Sequence, residues 1–282
     1  MIDPSSIDNQ IKWATDILHN VSCSARLDSE ILLAFCLQKD RSYLFTWPDQ
    51  LLSKEQLACF KDLIQQRLTP QPVAYLIGSR EFYSMELNTT PATLVPRPET
   101  EMLVDWVLEQ IALLDHPFIL DLGTGTGAIA LAVKKHCPNC DMVATDFSAT
   151  ALEVARSNAL KHHLDVRFFE SDWFKSLAPD TRYDVIVSNP PYIAADDPYL
   201  SQGDLPAEPQ LALTSGDSGL EDLHTIIDGA RQYLKSNGVL VLEHGYDQQQ
   251  AVTDLFLGAG YRSIKTHKDF NDLPRMTVAR AS

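Results

Sequence analysis

The sequence predicts an α/β fold: a mostly parallel sheet of seven strands with helices on both faces, preceded by a small helical domain. Three observations carry that prediction. From about residue 118 onward, short apolar runs of strand length alternate with longer segments of helical period. Glycines or polar residues end the early strands, where parallel α/β sheets bind ligands. The first 70 residues or so carry helical periodicity alone. At 282 residues the chain is long enough for two domains with cores of their own.

The helical segment comes first. Ile11, Ala14, Ile17 and Leu18 form one apolar stripe, Ile31, Leu32, Phe35 and Cys36 a second, and Leu57, Phe60, Ile64 and Leu68 a third. Trp47-Pro48 marks a break between helices. Residues 1–70 are assigned to this bundle, 71–98 to a linker and β-hairpin, and 99–282 to the main domain. Thr69-Pro70-Gln71-Pro72 opens the linker, and residues 82–95 read as a strand pair turning at Asn88-Thr89-Thr90-Pro91. A helix from Thr100 carries Met102, Leu103, Trp106, Val107 and Leu108 on the side that docks on a sheet.

Strands near 118–122, 142–146, 166–170 and 184–188 then alternate with helices near 127–136 and 148–162. A long, polar, proline-bearing loop spans residues 194–219 and reads as a lid or substrate clamp. A helix near 221–236, a strand at 239–243, a helix near 247–258 and strands near 261–267 and 276–280 complete the chain.

Composition narrows the function classes. No apolar run approaches a membrane span, and Met1-Ile2-Asp3-Pro4-Ser5-Ser6 lacks the form of a secretory leader, so a cytoplasmic protein is expected. Five cysteines, an odd number, suit a reducing compartment. Cys137-Pro138-Asn139-Cys140 beside His136 has redox or metal spacing, but it falls between a helix and a strand, has no second pair, and reads as a turn. The net charge of −15, with no basic run, opposes direct binding to nucleic acid and suits a protein substrate.

Two motifs carry the chemistry. Asn189-Pro190-Pro191-Tyr192 follows the apolar strand 184–188. Its two prolines fix φ and remove two donors, leaving a stiff turn with outward carbonyls. With the Asn carboxamide before it and an aromatic ring after, the turn can hold a planar NH2 group, of an amide or an aromatic amine. Asp121-Leu122-Gly123-Thr124-Gly125-Thr126-Gly127 links a strand to a helix. Its glycines let backbone approach a ligand, and Gly123, Gly125 and Ala128 also fit a dinucleotide fingerprint, so NAD is a rival ligand. Asp146 ends the next strand and can accept both hydroxyls of a ribose in either ligand. Ser171-Asp172-Trp173 ends the third, where Asp172 can meet the exocyclic amine of an adenine and Trp173 its face.

These residues resemble the class I, Rossmann-like methyltransferases that alkylate amino nitrogens, and among them the bacterial HemK/PrmC family, the release factor glutamine N5-methyltransferases. The resemblance spans almost the whole chain. It includes Arg26-Leu27-Asp28-Ser29-Glu30-Ile31-Leu32-Leu33-Ala34, Pro72-Val73-Ala74-Tyr75-Leu76-Ile77-Gly78, Arg80-Glu81-Phe82-Tyr83-Ser84, Val95-Pro96-Arg97-Pro98-Glu99-Thr100-Glu101 and Leu242-Glu243-His244-Gly245. It implies methyl transfer from S-adenosylmethionine, without a metal, to the glutamine of the Gly-Gly-Gln loop of class I release factors. The helical domain would help to recognise that partner.

By the same resemblance Asn189, Pro190 and Tyr192 are catalytic, and with Pro191 they hold the substrate. Asp121, Gly123, Thr124, Gly125, Thr126, Gly127, Asp146, Asp172, Trp173 and Asn189 bind the cofactor, which leaves as S-adenosylhomocysteine. The alternative substrate is an amino group of a nucleic-acid base. One departure stands out: the family shows an Arg shortly before the Glu-Pro pair that follows the clamp, and here Pro206 holds that place in Asp204-Leu205-Pro206-Ala207-Glu208-Pro209.

Overall fold

The computed structural model describes residues 5–282; Met1–Pro4, read above as part of a start unlike a leader, lie outside the described residues. The chain divides into two compact units. One comprises the residues up to Ser79 together with Pro198–Ala207, and the other comprises Arg80–Asp197 with Glu208–Ser282. Among the described residues no helix is long and apolar enough to cross a membrane.

The first unit holds α1 (Ile7–Leu18), α2 (Ala25–Leu37), α3 (Arg41–Thr46), α4 (Lys54–Arg67) and α5 (Val73–Ile77). Its core follows the predicted stripes only in part: Ile7, Ile11, Ala14 and Leu18 of α1, Leu32 and Leu33 of α2, and Phe60, Leu63 and Ile64 of α4 are buried, whereas Ile17 and Phe35, read as core-facing, are exposed. Ser53 starts α4 with a capping box, its hydroxyl accepting from Gln56 N while Gln56 Oε1 accepts from Ser53 N. Buried Arg67 donates from Nε to Asp28 Oδ2 (2.9 Å) and from Nη1 to Asp204 Oδ1 (2.8 Å). This pairing joins the returning segment Pro198–Ala207, with Pro206 in its 3-10 turn Leu205–Ala207, to the helices of the same unit. α5 also belongs to this unit, so its extent differs from the continuous 1–70 segment read from sequence.

The second unit begins within β1 (Ser79–Phe82) of the hairpin that it forms with β2 (Met85–Asn88), and continues through α6 (Glu101–Ile111). There follow β3 (Phe118–Leu122), α7 (Ala128–His136), β4 (Asp141–Asp146), α8 (Ala149–Lys161), β5 (Arg167–Glu170) and β6 (Tyr183–Ser188). α9 (Glu221–Ala230), β7 (Leu234–Glu243), α10 (Gln249–Gly258), β8 (Arg262–Lys268) and β9 (Pro274–Arg280) close the chain. Seven strands form one sheet in the order β5-β4-β3-β6-β7-β9-β8. The first five run parallel, and β9 pairs antiparallel with both β7 and β8.

Alternation along the strands makes two cores, one per face. Ile119, Met142, Ala144, Val185, Val187 and Val241 pack under α6, α7 and α8. Leu120, Leu122, Val143, Ile186, Leu240 and Leu242 pack under α9 and α10.

Three local readings are corrected. The hairpin turns at Tyr83-Ser84, not at Asn88-Thr89-Thr90-Pro91; both turn residues have positive φ (50° and 56°), as a two-residue primed turn requires. α9 ends at Ala230, six residues before the expected end. β7 accordingly begins at Leu234, pairs with Tyr183 and resumes after a bulge at Val239. The Cys137–Cys140 stretch is a turn closed by Cys140 N donating to Cys137 O, with Lys134 Nζ donating to the Pro138 and Cys140 carbonyls.

Candidate active site

The strand order reverses between β3 and β6, the kind of switch point at whose carboxyl ends parallel sheets bind ligands. Register decides what lines those ends. Leu122 pairs with Thr145 and with Ser188, and Ser188 pairs with Leu242. The residues one step beyond, Gly123, Asp146, Asn189 and Glu243, therefore fall on one row at the sheet's edge.

The glycine loop is held by the strand it leaves and the helix it enters. Gly123, Gly125 and Gly127 all have positive φ (69°, 56° and 84°). The conformation matters most at two of them. A side chain on Gly127 would also press on Leu131 at 3.0 Å, while Gly125 faces open space where a ligand could approach its backbone. Thr124 N donates to Thr145 O, and the Thr126 carbonyl accepts from buried Asn158 Nδ2.

Asp121 lies wholly buried on the α7 side of β3. Its Oδ2 accepts from Thr124 Oγ1 (2.6 Å) and from Ala130 N in the first turn of α7 (3.2 Å). Its Oδ1 is buried with no hydrogen-bond partner among the described residues. Burial pushes its pKa up to about 7, and the Asp146 carboxylate adds repulsion against the two bonds that favour charge. Two consequences follow. The protein's own carboxylate takes one amide of the α7 N-terminus, where a dinucleotide would place its diphosphate. The orphaned oxygen leaves an acceptor with capacity for a further donor.

Asp146 accepts from Gly125 N through Oδ2 (2.8 Å) and from Ser148 N through Oδ1 (2.9 Å), so it shapes the glycine loop as well as ending β4. Burial raises its pKa, with backbone donors pulling it back. Trp173, at φ 50°, donates from Nε1 to Asp222 Oδ1 (3.1 Å), and a side chain at Gly123 would meet its ring at 3.6 Å. The ring thus lies beside the glycine loop. Asp172 is not drawn in with it: its carboxylate pairs with Lys175 Nζ at 2.6 Å on the surface.

The Asn189-Pro190-Pro191-Tyr192 turn leaves β6 with Pro190 buried. Asn189 Nδ2 donates to Thr100 Oγ1 at 3.0 Å, and Thr100 Oγ1 donates to Glu243 Oε2 at 2.7 Å. Tyr192 reaches Glu243 Oε1 from its hydroxyl at 3.3 Å, while its carbonyl accepts from Gln248 Nε2. Burial pushes the Glu243 pKa up to about 7, opposed by the Thr100 hydroxyl and the Arg275 charge. The Tyr192 phenol is raised well above its usual value by burial, then by the Glu243 charge. Behind the turn, Glu208 accepts from Val95 N and from Arg97 Nη2.

Sequence reasoning singled out neither Thr100 nor Glu243 for the site, though both lie in segments that carried the resemblance. The signal for Glu243 was present: it is an acid ending an apolar parallel strand, the feature that drew attention to Asp146. Thr100 had no local signal, since it reaches the crevice only through the fold.

Comparison with known proteins adds two family matches. Residues 9–78 match the PrmC N-terminal domain and residues 99–202 the methyltransferase small domain. The release factor glutamine methyltransferase of Vibrio cholerae is 43% identical over 277 residues, 98% of this chain and 96% of that one. Its counterpart in Shewanella oneidensis is 42% identical over 281 residues, 99% of this chain and 98% of its own.

Among solved structures, a methyltransferase from Pyrococcus furiosus aligns at TM-score 0.52 and 21% identity, over 70% of this chain and 88% of that one. A Thermus thermophilus 16S rRNA methyltransferase in complex with AdoMet and guanosine aligns at TM-score 0.53 and 17% identity, over 72% and 50%. These likenesses establish the class I methyltransferase fold.

Proposed function

The chain belongs to the release factor glutamine methyltransferase family, and on that premise we propose that it methylates the side-chain amide nitrogen (N5) of the Gly-Gly-Gln glutamine in class I peptide chain release factors. The methyl donor is S-adenosylmethionine, which leaves as S-adenosylhomocysteine. The near-full-length relatives support the substrate class. The observation in the site that carries the chemistry is the Asn189 carboxamide, whose NH2 is tied to Thr100 while no bond to a described residue engages its Oδ1.

The residues fit the donor. Asp121, with its orphaned buried oxygen, would take the ammonium of the methionine moiety. The glycine loop would give the chain close passage, Asp146 would accept ribose hydroxyls, and Trp173 would lie along the adenine. Asp172 reaches the base only by leaving Lys175. When bound, the group supplies an electrophilic methyl on a positively charged sulfur, for which an acidic crevice is suited.

An amide nitrogen is a weak nucleophile because its lone pair is shared with the carbonyl. In this reading Asn189 Oδ1 and the Pro190 carbonyl accept the two N–H bonds, which aims the lone pair and favours the pyramidal nitrogen. The same acceptors stabilise positive charge as it develops there. Tyr192 lies on the amide plane and Pro191 stiffens the turn. The alkylated nitrogen is acidic enough to lose its proton without a strong base. The helical unit, matching the PrmC N-terminal domain, is proposed to help recognise the release factor.

The test is transfer of labelled methyl to a purified class I release factor, beside the same factor with its Gly-Gly-Gln glutamine changed to alanine, with DNA and transfer RNA in parallel. Label on the unaltered factor alone is the expected result. Label on nucleic acid instead would overturn the substrate.

A further inference from the structure

We propose that Thr100 and Glu243 are positioning residues that fix which end of the Asn189 carboxamide faces the substrate. The proposal rests on the reading that Asn189 receives the substrate amide.

The reasoning is a count of hydrogens. An ionised carboxylate, the form that Glu243 takes above about pH 7, can only accept, and a hydroxyl has one proton to give. Thr100 gives its proton to Glu243 Oε2 at 2.7 Å. In its remaining contact, 3.0 Å from Asn189, Thr100 Oγ1 must therefore accept, and only the Nδ2 end of the carboxamide can donate to it. Glu243 sets the polarity of Thr100, and Thr100 sets that of Asn189. A carboxamide turned end for end would place its oxygen against the hydroxyl's lone pairs and lose the bond. The atom left without a bond to a described residue is Oδ1, an acceptor, which is the end that a substrate NH2 requires. With the amide reversed, two NH2 groups would face each other.

Burial makes the device effective. Glu243 is 1% exposed and Thr100 is 4% exposed, so water does not compete for either bond. The second oxygen of Glu243 takes the Tyr192 hydroxyl, so one carboxylate steadies both side chains that flank the Pro-Pro turn. The pair comes from distant stretches of chain: Thr100 from the 3-10 turn Pro98–Thr100 before α6, and Glu243 from the end of β7.

The experiment compares four single variants and one double variant by single-turnover methyl transfer and by calorimetric titration with S-adenosylmethionine. Thr100→Val removes the hydroxyl at nearly constant volume. Glu243→Gln can present either end to Thr100, so it no longer enforces one polarity. Each should lower the rate of transfer by about 10–100-fold, the scale on which outer partners of an active-site ligand act. Cofactor affinity should stay within about threefold. Thr100→Ser, which restores the proton count, should recover most of the loss. Thr100→Val should cost little more when added to Asn189→Ala, because the two act on one carboxamide.

Several results would overturn the proposal. One is a Thr100→Val enzyme within about threefold of the wild-type rate beside a disabled Asn189→Ala. Another is full additivity of the two. Loss of cofactor binding in both Thr100→Val and Glu243→Gln would assign the pair to the fold and not to the amide. A near-normal Asn189→Ala enzyme would instead reject the clamp reading itself.

Discussion

The carboxamide of Asn189 and the carboxylate of Asp146 stand on the same row of the sheet edge, yet their loss should affect different steps. Asn189 is proposed to touch the reacting nitrogen, so Asn189→Ala should lower kcat by roughly 10²–10³, the usual cost of removing one preorganised polar group. Cofactor affinity measured by calorimetry should be largely unchanged; turnover near the wild-type level would reject the role. Asp146→Ala should weaken S-adenosylmethionine binding by about 2–3 kcal/mol, as expected for a lost charged hydrogen-bonding partner. Unaltered affinity would remove Asp146 from the ribose. At this scale the sequence was legible wherever chemistry and position coincide locally. Asp121 and Asp146 stand within the last two residues of apolar strands, and the alternate glycines and Asn189 come directly after such strands. Asp172, read as facing the base, pairs at the surface with Lys175, three residues on. Thr100 was invisible because its partners lie 89 and 143 residues away.

Among the elements, the parallel strands were readable because burial on both faces leaves short unbroken apolar runs. The hairpin was not. Neither Tyr83 nor Ser84 is a residue that favours positive φ, so the turn is maintained by its surroundings: Tyr83 N donates to Glu101 Oε1 and Ser84 N to Glu81 Oε1. Asn88, read as a turn residue, instead ends β2 and exchanges two bonds with Asn158 of α8. The loop before α9 carries a sharper constraint. At Gly219 φ is +75°, and an added Cβ would sit 2.5 Å from the Tyr192 carbonyl and 3.1 Å from Ala194 N. Gln248 Nε2 bonds both the Tyr192 and Gly219 carbonyls, closing the two segments on each other. Gly219→Ala must therefore push backbone away from the clamp. The expected outcome is a fall in kcat of at least tenfold with loss of about 1–3 kcal/mol of stability, read from denaturant unfolding. A variant matching the parent in both would show that the turn yields freely. By contrast Ser53→Ala removes only the α4 capping box and should cost about 1 kcal/mol without changing the KM for cofactor.

For the whole molecule, charge is the governing quantity: the chain carries −15 and concentrates raised carboxylates in one crevice. Asp121 moves from a usual 3.8 to about 7 and Glu243 from 4.5 to about 7, both chiefly through burial. Between those limits the folded protein binds more protons than the unfolded chain. Their contribution to stability is therefore fully present below about pH 4 and is lost as pH rises through 7. Glu30 and Asp269 act in the opposite sense. Burial opposes their ionisation, but hydrogen bonds from Arg41 and Arg26 to Glu30, and from Leu273 N, Asn271 N and Arg275 to Asp269, hold both pKa values below the usual range. Their stabilisation is lost only on acidification below about pH 4, so the two windows separate. The ligand-free protein should accordingly melt at a lower temperature at pH 8 than at pH 5.5, helped by the growing self-repulsion of an acidic chain. Asp121→Asn should flatten that slope, since only one of the two carboxylates then remains to ionise. The same ionisation prepares the site for a cation, so S-adenosylmethionine should bind more tightly as pH rises toward 8, by at most about tenfold per unit for a single proton. Scanning calorimetry and titration of parent and variant across this range test both halves together. A variant that keeps the parental slope would place the titration elsewhere, and affinity independent of pH would mean that Asp121 is not the group that takes the ammonium.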